Sequence, residues 1–183
     1  FISALYFDKY LRGFWTQNYS SAYDAADAAL SDFQEMKKKS REFDDNLQRD
    51  LSTFGGNSFA TMGILAFRQT LAATKLVWHD ERRETWSLLK DISAGGVFQS
   101  VDAIFSAAPL FLYLESSLLR ALLVPLLEYA NNSTSSLYSE IFSPHDIGVY
   151  PVANGTVDER SMPASTKLCL LFKNNSVEKI LCQ

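Results

Sequence analysis

The sequence predicts a mainly α fold built from successive helical hairpins, and three observations carry that reading. Apolar residues recur at three- and four-residue spacing over about 21–52. A segment that is small or apolar nearly all round follows a Gly55-Gly56 break, and a further apolar stretch interrupted by Pro125 runs from about 110 to 130. An outer amphipathic helix alternating with an inner apolar one stacks into a ring, an α/α toroid with its inter-helix loops around a central cleft, or into an open solenoid. No repeat of fixed length is present, which counts against the regular solenoid.

Ser21-Ala-Tyr-Asp24 has the form of a capping box. Behind it Tyr23, Ala26, Leu30, Phe33, Met36, Ser40, Phe43, Leu47 and Leu51 trace one helix face, with Asp27, Asp32, Lys38, Glu42 and Arg49 on the wet side. Asn57 or Ser58 caps the next predicted helix, "FATMGILAFRQTLAATKLVW", which is expected to be buried on most faces as far as Trp78. Arg68 and Gln69 are exceptions there. A buried Arg needs a carboxylate partner or a polar cavity, so an internal salt bridge and a ligand contact both stand. Glycines and alternation over 84–105 suggest a short β-ribbon excursion, with Asp102 as a lone acid in an apolar run. Ser116 or Ser117 then caps the third helical region, and Pro125 kinks it or begins a new helix.

The formal charge of -4 and pI near 5.2 argue against a nucleic-acid surface, which needs clustered Lys and Arg in excess. The basic cluster Lys37-Lys38-Lys39-Ser40-Arg41 runs straight into Glu42, Asp44 and Asp45, as a solvated helix face does. No apolar run approaches the ~20 residues that span a bilayer, because Arg120 and Pro125 interrupt the greasiest segment, and no membrane partner is expected. The chain opens on Phe1 without a signal-peptide pattern and so reads as a piece of something longer. Cys169 and Cys182 give neither a disulfide framework nor a metal signature, and no metal or other cofactor is expected. Asn18, Asn131, Asn132, Asn154 and Asn174 each begin an N-x-Ser/Thr triplet, where chance predicts about one or two. The excess points to a secreted, extracellular glycoprotein, with Asn18, Asn131 and Asn154 as the expected acceptors and at most one glycan on the adjacent Asn131-Asn132 pair.

No GxSxG elbow, Walker loop or HExxH motif is present, and neither Cys lies near a His in sequence. The residues left for chemistry are Asp102, His145 and Asp146, with His79-Asp80 as a second pair. A carboxylate can orient and deprotonate water, and an acid can protonate a leaving group, when the surroundings bring its pKa toward neutrality. In "SPHDIGVYPVANG" a structural role competes with that one: Asp146 capping a turn, Gly148 allowing a tight path and Pro151 fixing the exit. Asp102 reads equally as a buried acid holding the loop to an inner helix. His79 reads as a histidine favoured by the dipole at a helix C-terminus.

The segments "LAFRQTLAATKLVW", "LKDISAGGVFQSVDAIFSAAPLFLYLESSLLRALLVPLLEYA" and "PHDIGVYPVANG" resemble the central six-helical-hairpin domain of the fungal glutaminase A family over roughly residues 1–163. Arg68-Gln69, Ser100-Val101-Asp102, Ala108-Pro109-Leu110-Phe111 and His145-Asp146-Ile147-Gly148 with Tyr150-Pro151 carry the likeness in order. The resemblance implies an (α/α)6 toroid in a secreted protein that hydrolyses L-glutamine to glutamate and ammonia. It makes Asp102, His145 and Asp146 the candidate catalytic groups, and Arg68, Gln69 and Tyr150 the candidates for binding glutamine. After Met162-Pro163 the family continues into an acidic segment and further hairpins, whereas residues 164–183 form a divergent tail. A truncated, incomplete ring is therefore expected, inactive by itself and self-associating through exposed apolar helix faces. The alternatives from other classes are a carbohydrate-binding or glycosidase-like toroid, with Trp15, Trp78 and Trp86 as stacking faces, and a non-catalytic helical fragment.

Overall fold

The computed structural model describes residues 2–91, 95–131 and 144–156. The tail expected to diverge over 164–183 lies outside them. Residues 15–72 form one compact unit, and the described residues on either side of that stretch form a second.

The first unit is helical. Ser21 caps α1 (Ala22–Ser31) with the full capping box: its Oγ accepts from Asp24 N at 3.1 Å and its own N donates to Asp24 Oδ2 at 3.1 Å. The helix expected over 21–52 breaks at Asp32, and α2 (Phe33–Ala73) begins one residue later. Gly56 interrupts α2 with φ 78° and ψ 178°, a conformation that costs a residue without a Cβ little. The two halves fold back on each other as a helical hairpin. Phe43 meets Phe67 at 5.4 Å between ring centroids, Leu51 packs on Gly63, and Phe54 meets Phe59 at 5.5 Å. The second half is not buried on most faces: Ala60 is its one buried residue, while Phe59, Met62, Leu65 and Leu71 are exposed. With one helix to pack on, it covers the stripe of Ala60, Gly63, Ile64 and Phe67 at helical spacing and leaves the rest outside.

The second unit overturns the mainly α toroid. It is a six-stranded mixed sheet, nearly closed into a barrel, with two helices. The strands are β1 (Ile2–Tyr6), β2 (Lys9–Gly13), β3 (Thr74–His79), β4 (Glu84–Asp91), β5 (Val97–Phe98) and β6 (Val152–Ala153), in the order β5-β4-β3-β2-β1-β6. The ribbon expected near 84–105 is thus a small part of a much larger sheet, and its last residues belong instead to a helix. The predicted inner helix ends at Ala73, and "TKLVWH" becomes β3. Six residues of it pair antiparallel with β4, from Thr74 opposite Leu89 to His79 opposite Glu84. That ladder, together with the β-branched and aromatic content of the segment, outweighs local helical periodicity.

Segment 147–153 joins the two edges of the sheet. Ile147 N donates to Phe98 O at 3.2 Å, Phe98 N to Gly148 O at 3.0 Å, and Tyr150 N to Gly96 O at 2.9 Å, so its first half pairs with β5. Its second half runs parallel to β1, with Leu5 N on Pro151 O at 2.9 Å and Phe7 N on Ala153 O at 2.7 Å. The helices α3 (Val101–Leu114) and α4 (Ser116–Asn131) pack against β4. Pro125 lies inside α4, and its carbonyl accepts from Tyr6 Oη at 2.8 Å. The core gathers Trp86, Leu88, Phe98, Ile104, Phe111, Leu122, Leu126 and Ile147. Among the described residues no helix is long and apolar enough to cross a membrane.

Candidate functional site

The closing segment begins with the residues that carry chemistry. Asp146 is fully buried, and its Oδ1 accepts the Gly148 N–H at 2.8 Å, an Asx-type turn that folds the chain toward β5. Its Oδ2 accepts from Thr156 Oγ1 at 3.3 Å and lies 2.9 Å from His145 Nδ1. A carboxylate only accepts, so in the neutral imidazole the hydrogen sits on Nδ1 and Nε2 keeps its lone pair. Nε2 stands 4.0 Å from Asp102 Oδ1. Asp102 occupies the first turn of α3, where the helix N-terminus favours an anion. The main chain fixes the approach of the two segments, because Val101 N donates to His145 O at 2.9 Å.

The structure therefore brings Asp102, His145 and Asp146 into one row. It runs from a buried carboxylate through a mostly buried imidazole to an Asp102 side chain that is 66% exposed. A buried Asp102 acting as a tie between loop and helix does not occur, since the backbone makes that tie. Tyr150, on the same segment, is half-buried, meets Phe98 edge-on at 5.8 Å and accepts from Lys75 Nζ at 3.1 Å. Arg68 and Gln69 belong to the helical unit, where Arg68 pairs with Asp44 at 2.8 Å and Gln69 is exposed.

His79 does not end a helix. It ends β3, buried against Trp86 at 4.5 Å between ring centroids, and its Nδ1 accepts from Arg82 N at 3.3 Å. Burial, followed by the Lys9 ammonium, holds its pKa below the ordinary imidazole value. Asp80 pairs at the surface with Arg12. Trp86 is fully buried between Tyr6 and His79, so it offers no face to a sugar. Among the described residues no three His, Cys, Asp or Glu side chains gather as a metal site.

Two groups at the site escaped the sequence. Thr156 reads as the third member of a glycosylation triplet, yet its hydroxyl points inward to Asp146. Gln99, buried with φ 58°, accepts from Leu89 N at 2.7 Å and donates to Leu122 O, which pins the approach to Asp102 between sheet and α4. Nothing local marks either role.

An imidazole oriented by a buried carboxylate and facing a second carboxylate has the donor and acceptor arrangement that general acid–base chemistry uses. Residues 56–171 match the family described as Glutaminase A six helical-hairpin domain. The chain belongs to the glutaminase A family. It is 32% identical over 152 residues to Glutaminase A of Aspergillus oryzae, a stretch that is 81% of this chain and 21% of that relative. It is 30% identical over 119 residues to a protein of Arthroderma benhamiae named Probable glutaminase, covering 65% of this chain and 13% of that one. The chain thus spans about a fifth or less of the length of these curated relatives. No solved structure matches it.

Proposed function

We propose that the protein containing this segment hydrolyses the side-chain amide of L-glutamine, with His145 moving the proton. The carrying observation is the Asp146–His145–Asp102 row, at 2.9 Å and 4.0 Å. Asp146 holds the imidazole with Nε2 free to accept. Nε2 takes a proton from a water molecule as the water oxygen bonds to the amide carbon, and the buried Asp146 stabilises the imidazolium through Nδ1. When the tetrahedral adduct collapses, the C–N bond breaks and Nε2–H returns the proton to nitrogen. The side-chain carboxylic acid and ammonia leave, and passage of the acid's proton to ammonia gives glutamate and ammonium. The names of the relatives support the substrate, and the exposed Asn18 and Asn154 support an extracellular glycoprotein.

The 183-residue chain alone is expected to be inactive, because an Asp102 two-thirds in water gives the imidazolium little low-dielectric stabilisation. It is also expected to self-associate through Phe54, Met62 and Leu65. Ammonia release from glutamine by a protein of the relatives' full length tests the reading. Asp146→Asn should lower kcat by about 10²–10⁴ and Asp102→Asn should lower it less, both in protein that melts like the parent. Unchanged turnover in both variants would remove the assignment.

A further inference from the structure

Two lysines from neighbouring strands converge on one aromatic ring. Lys75 on β3 pairs with Leu88 on β4, and Lys90 lies two residues beyond Leu88. Side chains alternate along a strand, so both lysines leave the same face as Val77, Trp86 and Leu88, at the end of that apolar row. Lys75 Nζ stands 5.8 Å from the Tyr150 ring centroid and donates to its hydroxyl oxygen at 3.1 Å, while Lys90 Nζ stands 5.3 Å from the same centroid. All three side chains are half-buried.

Gathering two ammonium groups there is unfavourable unless something offsets their repulsion. Elsewhere in this unit Lys9, Arg12, Arg82 and Arg120 each have a carboxylate partner; among the described residues the exposed turn residue Arg83 has none, and neither of the half-buried Lys75 and Lys90 has one. The Tyr150 quadrupole holds both cations without neutralising either. Tyr150 is itself fixed through the β5 edge by its N–H on Gly96 O. The result is a pre-positioned pair of positive charges beside a rigid ring.

We propose that Lys75, Lys90 and Tyr150 form a binding site for a small carboxylate anion. Lysine ammonium groups supply point-charge donors, which suit one carboxylate. A phosphate site ordinarily adds a cradle of backbone N–H groups. Here the backbone around both lysines is engaged in the β3–β4 and β4–β5 ladders. The site needs neither His145 nor amide hydrolysis, so it stands apart from the proposed catalytic role.

The test is titration of the full chain with acetate, L-glutamate and inorganic phosphate at low ionic strength, followed by NMR shifts of the Tyr150 ring and the two lysine side chains. Both carboxylates should bind and move those three residues together, with affinity falling as salt is added. Lys75→Gln with Lys90→Gln should weaken binding about tenfold or more, and Lys75→Arg with Lys90→Arg should retain it. Lys90→Gln alone removes no hydrogen bond and should still weaken binding measurably, which keeps the test decisive if the double variant unfolds. Absence of carboxylate binding to the unsubstituted chain overturns the proposal. So does equal binding by a folded Gln variant, or tighter binding of phosphate than of glutamate.

Discussion

Gly148→Ala should release the segment that closes the sheet. Gly148 has φ 133°, a region that residues with a Cβ rarely enter, and a methyl group there would meet Val152 O at 2.6 Å, Asn154 Oδ1 at 2.9 Å and Asn154 N at 3.0 Å. Two of those atoms are backbone and cannot swing aside. The backbone strain alone is about 1–2 kcal/mol. Relieving the contacts means moving residues 147–152, which puts at risk the bonds between Gly148 N and Asp146, Phe98 N and Gly148 O, and Ile147 N and Phe98 O, each worth about 1 kcal/mol. A loss of about 3–4 kcal/mol is expected, or roughly 6–15 °C in Tm for a chain of this size. Gly96→Ala is the matched control: φ is 79°, but the nearest atom to its added methyl group is Val149 Cγ1 at 3.9 Å, so only the strain of about 1–2 kcal/mol remains. Urea unfolding of the two variants separates the effects. A Gly148→Ala protein no less stable than Gly96→Ala would refute the close approach.

Gln99→Leu should cost about 1–3 kcal/mol in denaturant unfolding, because it strands the buried Leu89 N–H and removes the tie to Leu122 O in α4. Ser21→Ala should cost about 1 kcal/mol by loss of the α1 cap, read as reduced helix protection in hydrogen exchange. His79 has a folded pKa below its unfolded value, so the unfolded chain binds more protons as pH falls below about 6.5 and stability drops with it. His79→Gln should flatten that limb of a Tm–pH curve, and a limb of unchanged slope would count against the buried neutral imidazole. Lys9→Ala, which breaks an exposed pair with Glu81, should change stability by less than about 1 kcal/mol.

What could be read from the chain follows the range of the interactions. The capping box at Ser21-Asp24 and the hairpin about Gly55-Gly56 are local signals, and both are present. The strand at 74–79 is a short apolar run after a helix, with "DERR" rather than Gly or Asn in its turn, and only its ladder with 84–91 decides its state. The hairpin of β1 and β2 turns at Phe7-Asp8, again without a turn glycine, and Phe7 accepts φ 53°. The closing segment pairs with Phe98 on one side and with Leu5 and Phe7 near the start of the chain on the other, separations that no window of sequence reveals. Asp102, His145 and Asp146 stood out as polar residues in apolar or turn-rich surroundings. Lys75 and Lys90 looked ordinary, because their shared face depends on the β3–β4 register.

The proposed proton transfer depends on the orientation of His145, and the chain has just two histidines, His79 and His145. Long-range proton–nitrogen correlation NMR on the neutral protein reads the tautomer of each. The geometry predicts hydrogen on Nδ1 of His145, bonded to Asp146, with Nε2 bare toward Asp102, and the opposite tautomer for His79, whose Nδ1 accepts from Arg82 N. Asp146→Asn should then abolish the His145 preference while leaving His79 unchanged. An Nε2–H tautomer for His145 in the unsubstituted protein would contradict its role as the base, since the nitrogen facing Asp102 could no longer take a proton from water.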